Sequence, residues 1–392
     1  MADLTGDRER GTAKPGTRDP RPEAGNGKPE TQFCHCGAEG AVFLHYASKH
    51  LCEEHFIRMF DKRFRKTVRM HNMLRKGDRV AVGLSGGKDS TVLLHSLAEL
   101  KKDLPFEMVA VTIDEGIKGY RARTLGIART ECEKLGIEQV VLSFKDDAGD
   151  TLDGMMDRDA EHESGCRGQV REHILNAAAF KMNAKPETQN SKPDREKRGA
   201  FPWSGERYVV LPETLNPRPE TQNQLPCTQC GVLRRYLLNK GAREAKATKL
   251  ALGHNLDDMA QTVLMNIMRN EPARLARLYK PVASSGRFVE RIRPLMLTPE
   301  KENALYAMMK GIDIEHVECP YARFAFRGHV RKMLNESEER YPGTKFKIVN
   351  AFLEIEGALR GKYADAALME CRSCGEPSSK ELCMFCKRTK RS

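Results

Sequence analysis

Nowhere does this 392-residue sequence carry an apolar run approaching 18 residues, whereas a helix that spans a bilayer needs about 20. The opening MADLTGDRER is charged almost from its first residue, where a secretory signal would be apolar. Both absences argue against a membrane partner and against export, and put the expected location in the cytoplasm. Large apolar residues are almost missing from the first 32 positions, which are rich in Gly, Pro and charge. Residues 1–32 therefore read as a disordered tail. That tail is balanced in charge, so the chain's excess of 66 Lys and Arg over 54 Asp and Glu falls in the remainder. A basic folded body points to a polyanionic partner, most simply nucleic acid. With no secretory signal, the 12 cysteines suggest a reducing compartment and metal or catalytic use.

What the sequence does contain is β/α alternation. Strand-like runs occur at 79–84, 108–113, 139–144 and 250–253, and helix-like runs at 90–101, 120–135, 231–244 and 257–268. This pattern predicts an α/β fold, a doubly wound parallel sheet with ligands at the carboxyl ends of its strands. The length allows one large domain plus small modules. A polar pentapeptide recurs irregularly, as KPETQ at 28–32 and 185–189 and RPETQ at 218–222. The last two copies bracket a Pro- and Asn-rich stretch, about 183–225, which holds the single tryptophan Trp203 and reads as a surface insertion.

Between the first strand and its helix lies Ser85-Gly86-Gly87-Lys88-Asp89-Ser90. The GxxxxGK[ST] loop of common nucleotide hydrolases is absent. Paired glycines at a helix N-terminus nevertheless direct backbone N–H groups at a phosphate. The loop resembles the SGGxDS turn of the PP-loop ATP pyrophosphatases, a superfamily that adenylates a carbonyl oxygen.

Ten of the cysteines form three groups. Cys371-x-x-Cys374 and Cys383-x-x-Cys386 have the spacing of a zinc ribbon, a closed structural site. Cys34, Cys36, Cys52 and His55 suggest a second zinc site, although Cys34-x-Cys36 is one residue short and His35 could replace one thiolate. Cys227 and Cys230 precede a predicted helix, whose positive end would lower their thiol pKa values, and Cys319 lies far downstream. Three such thiolates could hold an iron–sulfur cluster with one open iron, or supply a persulfide and its resolving partner.

Taken together, Cys34 to Cys386 resembles the tRNA 2-thiouridine synthetases, the TtuA and cytosolic wobble-thiolation family of PP-loop enzymes. The marks are SGGKDS at 85–90, IDEGIKGYR at 113–121, CTQCGVLRR at 227–235, GHNLDDMAQTVLMN at 253–266 and ECPYARFAFRGH at 318–329. The resemblance implies that Gly83, Leu84, Ser85 and Asp89 contact ATP phosphates, with Gly86, Gly87, Lys88 and Ser90 completing the loop. It places Ile113 and Gly253 beside the adenosine, and Asp258 near the reacting phosphate through Mg²⁺. It gives Cys227, Cys230 and Cys319 to a cluster, expected to be 4Fe-4S, and Arg234 to charge near the reaction centre. A uridine C2 oxygen would be adenylated, with Lys88 and Arg234 offsetting charge, and then replaced by sulfur.

The implied partners are tRNA, a sulfur donor (a ubiquitin-like thiocarboxylate protein or sulfide) and a second copy in a homodimer. Residues 58–76, with eight basic side chains and one acid, read as an amphipathic linker helix for phosphate contact. Arg269, Arg274, Arg277, Arg323, Arg327 and Arg331 form a second basic region. The expected organisation is a finger at 33–57, a PP-loop domain at 58–366 and a ribbon at 367–392. The wobble uridine is the favoured target. The competing assignments are the T-loop uridine, a 2-thiocytidine synthetase, and a zinc-ribbon RNA-binding protein with a vestigial nucleotide loop.

Overall fold

The computed structural model describes residues 33–162, 226–279, 288–315, 318–322, 326–363, 369–378 and 380–389. The expected tail, the insertion, all three pentapeptides, Trp203, Cys166 and Arg323 lie outside the described residues.

A short hairpin, β1 (Val42–Leu44) and β2 (Lys49–Leu51), leads into α1 (Glu53–Met70). The alternating part then runs β3 (Arg79–Gly83), α2 (Lys88–Lys101), β4 (Glu107–Asp114), α3 (Arg121–Leu135) and β5 (Glu138–Ser143). Two short helices, α4 (Phe144–Ala148) and α5 (Leu152–His162), follow it. Beyond the break come α6 (Pro226–Glu244), β6 (Lys249–Leu252), α7 (Leu256–Met268), α8 (Pro272–Ala276) and β7 (Glu290–Ile292). The chain ends with α9 (Glu300–Met309), α10 (Phe326–Arg340), α11 (Thr344–Tyr363), the hairpin β8 (Met369–Glu370) and β9 (Pro377–Ser378), and α12 (Met384–Thr389).

Five strands pair in parallel in the order β5-β4-β3-β6-β7. Their side chains alternate between two cores. Val80, Val82, Ala110, Ala251 and Ile292 face one side, packed with Phe60, Phe64, Leu93 and Met259. Ala81, Val109, Val111 and Leu250 face the other, packed with Leu233, Leu237 and Phe385. Both faces are covered, as the apolar strands require. Strand order reverses at β3, which pairs with β4 on one side and β6 on the other. That is the switch point where doubly wound sheets bind ligands, and the loops after β3 and β6 meet there.

Three expectations need correction. The basic helix occupies Glu53–Met70, not 58–76. It starts early because Glu53 and Glu54 favour the positive N-terminal end, and it stops where Asn72 turns left-handed at φ 48°. Phe144 does not extend the third strand, because Ser143 caps a new helix by accepting from Asp146 N at 3.0 Å. The edge strand β7 was not foreseen at all; its three residues, with a charge at each of the first two positions, carry no period.

Candidate functional site

At the switch point the loop after β3 is held by its own serines. Ser85 N donates to Ser90 Oγ at 3.1 Å, and Ser90 Oγ donates to Gly87 O at 2.9 Å. Gly86 has φ +79°, and a Cβ there would sit 2.0 Å from the Thr124 carbonyl oxygen. Only glycine fits. Gly87 caps α2, and Lys88, Asp89 and Ser90 form its first turn. Leu84 is buried and donates its N–H to Val111 O at 2.9 Å. Gly83 lies at the end of β3, beside Leu252 of β6. Gly253 presses its backbone on Asp89 and Ser90, leaving 3.0 Å for a Cβ. The result is a backbone cradle at a helix N-terminus, suited to phosphate.

Side chains that sequence reasoning passed over set the polar floor of this cradle. Asp89 Oδ1 accepts from Asn255 Nδ2 at 3.1 Å and Asn303 Nδ2 at 2.7 Å. Lys88 Nζ lies 3.4 Å from Asp89 Oδ2 and 2.6 Å from Glu300 Oε1. Its ammonium stays charged because these carboxylates outweigh its desolvation. Asp258 and Asn255 form a capping box on α7, and Arg327 Nη1 approaches Asp258 Oδ1 at 3.4 Å. Burial pushes the Asp258 carboxyl up to about 6 against the pull of Arg327. Asp257 has a different task, since it pairs with buried Lys345 and accepts from Glu300 N at 2.8 Å.

The cysteine pair sits in the first turn of α6, with Cys227 and Cys230 on one side of the helix. Cys227 Sγ donates to Tyr321 O at 3.3 Å, two residues from Cys319. Cys319 interacts electrostatically with both other thiols. Burial raises all three thiol pKa values, that of Cys319 to about 11. The expected lowering by the helix end is therefore wrong, because desolvation outweighs the dipole here. Unlike the terminal groups, the trio does not bring its sulfurs within 4.8 Å of one another. Among the described residues no fourth thiol joins the three, and a set spread wider than one ion requires has the donors of an iron–sulfur cluster with an open corner.

A polar chain connects the two parts of the site. Arg121 Nη1 donates to Ser85 O at 2.7 Å, and Nη2 donates to Ile113 O. Arg121 Nε lies 2.8 Å from Glu115 Oε2, and Arg234 Nη2 lies 2.6 Å from Glu115 Oε1. Arg234 in turn bonds Cys230. Both Arg121 and Glu115 stand in the IDEGIKGYR stretch, yet neither was assigned a role from sequence. Their signal was an acid and an arginine six residues apart, flanking a turn at a strand's carboxyl end.

The terminal cysteines gather as expected. Cys34, Cys36, Cys52 and His55 form one four-ligand group without His35. Cys34 Sγ and Cys52 Sγ lie 3.4 and 3.2 Å from His55 Nδ1. Cys371, Cys374, Cys383 and Cys386 form the other. The second module is docked on α6, with Phe385 stacked on Tyr236 at 3.6 Å and Asn239 Nδ2 donating to Glu376 Oε2 at 3.1 Å.

His254 lies in the loop after β6, exposed to solvent and within the field of four arginines. Desolvation, then Arg293, Arg327, Arg291 and Arg235, push its pKa down to about 3. For a base with a depressed folded pKa, the stability contribution is complete above the unfolded value near 6.5 and declines as pH falls toward 3. NMR titration of the imidazole is expected to show no protonation between pH 8 and 5. An inflection near 6.5 contradicts this electrostatic picture.

A PP-loop domain model matches residues 53–184. The tRNA 2-thiolation protein NcsA of Haloferax volcanii is 30% identical over 90% of this chain and 96% of its own length. The chain belongs to the tRNA 2-thiolation family. Another relative, the tRNA-5-methyluridine(54) 2-sulfurtransferase of Pyrococcus horikoshii, is 28% identical over 90% of this chain and 91% of its own. Among solved structures, the U34-tRNA thiolase NcsA of Methanococcus maripaludis, described with its [4Fe-4S] cluster, matches with a TM-score of 0.64. It shares 29% identity, covering 93% of this family member and 97% of that chain. Thiolases acting at two different uridines thus resemble this family member about equally. No described helix is long and apolar enough to cross a membrane.

Proposed function

We infer that this protein is an ATP-dependent tRNA uridine 2-sulfurtransferase of the cytoplasm, acting at the wobble position. The observation that carries the reading is the polar chain from the Ser85 carbonyl through Arg121, Glu115 and Arg234 to Cys230. It links the phosphate cradle to the three thiols through side chains in contact. The loop residues Gly83 to Ser90 would hold ATP phosphates, with Ile113 and Gly253 beside the adenosine. Asp258 would hold Mg²⁺ at the reacting phosphate. The uridine C2 oxygen attacks the α-phosphorus and pyrophosphate leaves. Sulfur then bonds to C2, the C2–O bond breaks, and AMP departs with that oxygen.

Cys227, Cys230 and Cys319 would hold the cluster, which would supply sulfur for the replacement at C2. Lys88 offsets phosphate charge and Arg234 offsets charge developing near Cys230. The sulfur source would be sulfide or a thiocarboxylate carrier protein, and the assembly a homodimer. The terminal groups would hold one zinc each, in a finger at 33–57 and a ribbon at 367–392 flanking the PP-loop domain at 58–366. The α1 helix runs across the finger boundary, so finger and domain would be rigidly joined.

A tRNA partner is supported by unneutralised charge beside the loop after β6. Arg291 and Arg293 alternate along and just beyond β7, and Arg235 on α6 interacts with Arg291. Among the described residues no carboxylate pairs with any of the three, whereas Arg58, Arg63 and Arg65 of α1 pair with Glu54, Glu302 and Asp103. In the second basic region, Arg274 and Arg331 pair with Glu271 and Glu318. The Arg235→Ala/Arg291→Ala double variant is expected to lower the slope of log affinity against log salt by about 1.5. An unchanged slope in a filter-binding titration places RNA elsewhere.

The reading is tested by incubating anaerobically reconstituted protein with tRNA, ATP and sulfide, then analysing nucleosides and nucleotides. AMP, 2-thiouridine at position 34 and about two zinc per chain are expected. Thiolation at position 54 replaces the wobble assignment. Thiocytidine, or the lack of both AMP and a thionucleoside, overturns the reading.

A further inference from the structure

Glu115 follows β4 and is 1% exposed. Each of its carboxylate oxygens faces a different guanidinium, Arg121 at 2.8 Å and Arg234 at 2.6 Å. These two arginines serve different parts of the pocket. Arg121 grips the loop through the Ser85 carbonyl and also holds Thr124 Oγ1 at 2.8 Å. The carbonyl of that same Thr124 packs on Gly86. The conformation of the loop and the position of Arg121 are therefore one variable. Arg234 lies beside both Cys230 and Glu115.

A single buried anion shared by two cations makes them compete. When one guanidinium moves toward Glu115, the carboxylate offers less to the other. If the loop shifts on filling, Arg121 must move with the Ser85 carbonyl, and the pull on Arg234 changes in step.

We propose that Glu115 is a positioning residue that couples the nucleotide loop to the three-cysteine site, so that filling the loop with ATP alters the reactivity of the thiols. This rests on the reading of the loop as an ATP cradle. A typical size for coupling between two sites is at least about 5-fold.

The test uses full-length, reduced protein freed of any iron–sulfur cluster but with both terminal four-ligand groups loaded with zinc. Alkylation of Cys227, Cys230 and Cys319 by iodoacetamide is followed peptide by peptide, with and without saturating ATP, and ATP affinity is measured by calorimetry. In the wild type, ATP is expected to change the Cys230 rate by about 5-fold or more. In Glu115→Gln the ratio should fall to about 1 while ATP still binds within a few-fold. Arg234→Gln, which leaves the loop contacts of Arg121 in place, should do the same and carries the test should Glu115→Gln not fold. The same ratio in the variants as in the wild type means that ATP merely shields the thiol, and overturns the proposal. A wild-type ratio of 1 overturns it as well. Failure of the wild type to bind ATP sinks the reading of the loop itself.

Discussion

Replacing Cys319 by serine is expected to reduce thiolation of tRNA by at least ~10³-fold while leaving ATP affinity within a few-fold of wild type. Cys319 stands on a segment separate from the α6 pair, close to Tyr321, whose carbonyl accepts from Cys227 Sγ. Loss of one of three thiols leaves the other two without a closed donor set, and hydroxyl oxygen is a poor ligand for iron beside thiolates. The cradle lies beyond Glu115 and two arginines from the thiols, so its own contacts stay in place. Iron and sulfide analysis of the anaerobic variant should show loss of the cluster, and calorimetry should show ATP still bound. A variant that keeps most of its iron and its thiolation rate removes Cys319 from the site, and with it the mechanism.

Gly86→Ala is the second large effect. A methyl group there would meet the Thr124 carbonyl oxygen at 2.0 Å, in a backbone conformation, φ +79°, that L-residues rarely adopt. Neither neighbour is a flexible side chain that can step aside, so either the loop or the first turn of α3 must move. The expected result is ATP affinity lower by about 100-fold or more and stability lower by about 2–4 kcal/mol. Gly87→Ala is the control. Its nearest neighbour, Ser85 Oγ, is 3.5 Å away, and its φ of −83° suits any L-residue. A Gly86→Ala protein that binds ATP normally shows that the loop is not closed against α3 as described.

Much of this was legible in the chain because short-range rules governed it. Four of the five parallel strands carried apolar runs, three of them β-branched, and the helices after β3 and β6 carried helical periods. Gly86 and Gly87 announced a close backbone approach, and the spacing of Cys371, Cys374, Cys383 and Cys386 announced a closed donor set. The illegible part is what the tertiary fold alone decides. Asn303 and Asn255 reach Asp89 from positions more than 160 residues downstream. No local pattern marks them. The α1 assignment erred for a related reason, since eight basic residues suggested a free cationic face while two of them, Arg63 and Arg65, pair with acids distant in sequence. Thiol pKa values followed burial, which a sequence does not print. Glu115 was in plain view within a recognised stretch, but its meaning depends on two arginines, one of them 119 positions later.

Helix α6 spans 19 residues, about 28 Å of rigid rod. Cys227 and Cys230 ride on its front end, while the terminal ribbon grips its middle and rear through Tyr236, Asn239 and Arg243. The same Asn239 also accepts from Val289 N at 3.1 Å, tying the rod to the run into β7. A small fold at the end of the chain thereby acts as a clamp on the element that carries two of the three thiols. If the four ribbon cysteines hold the proposed zinc, its removal is expected to loosen the rod at the back and let the thiols drift at the front.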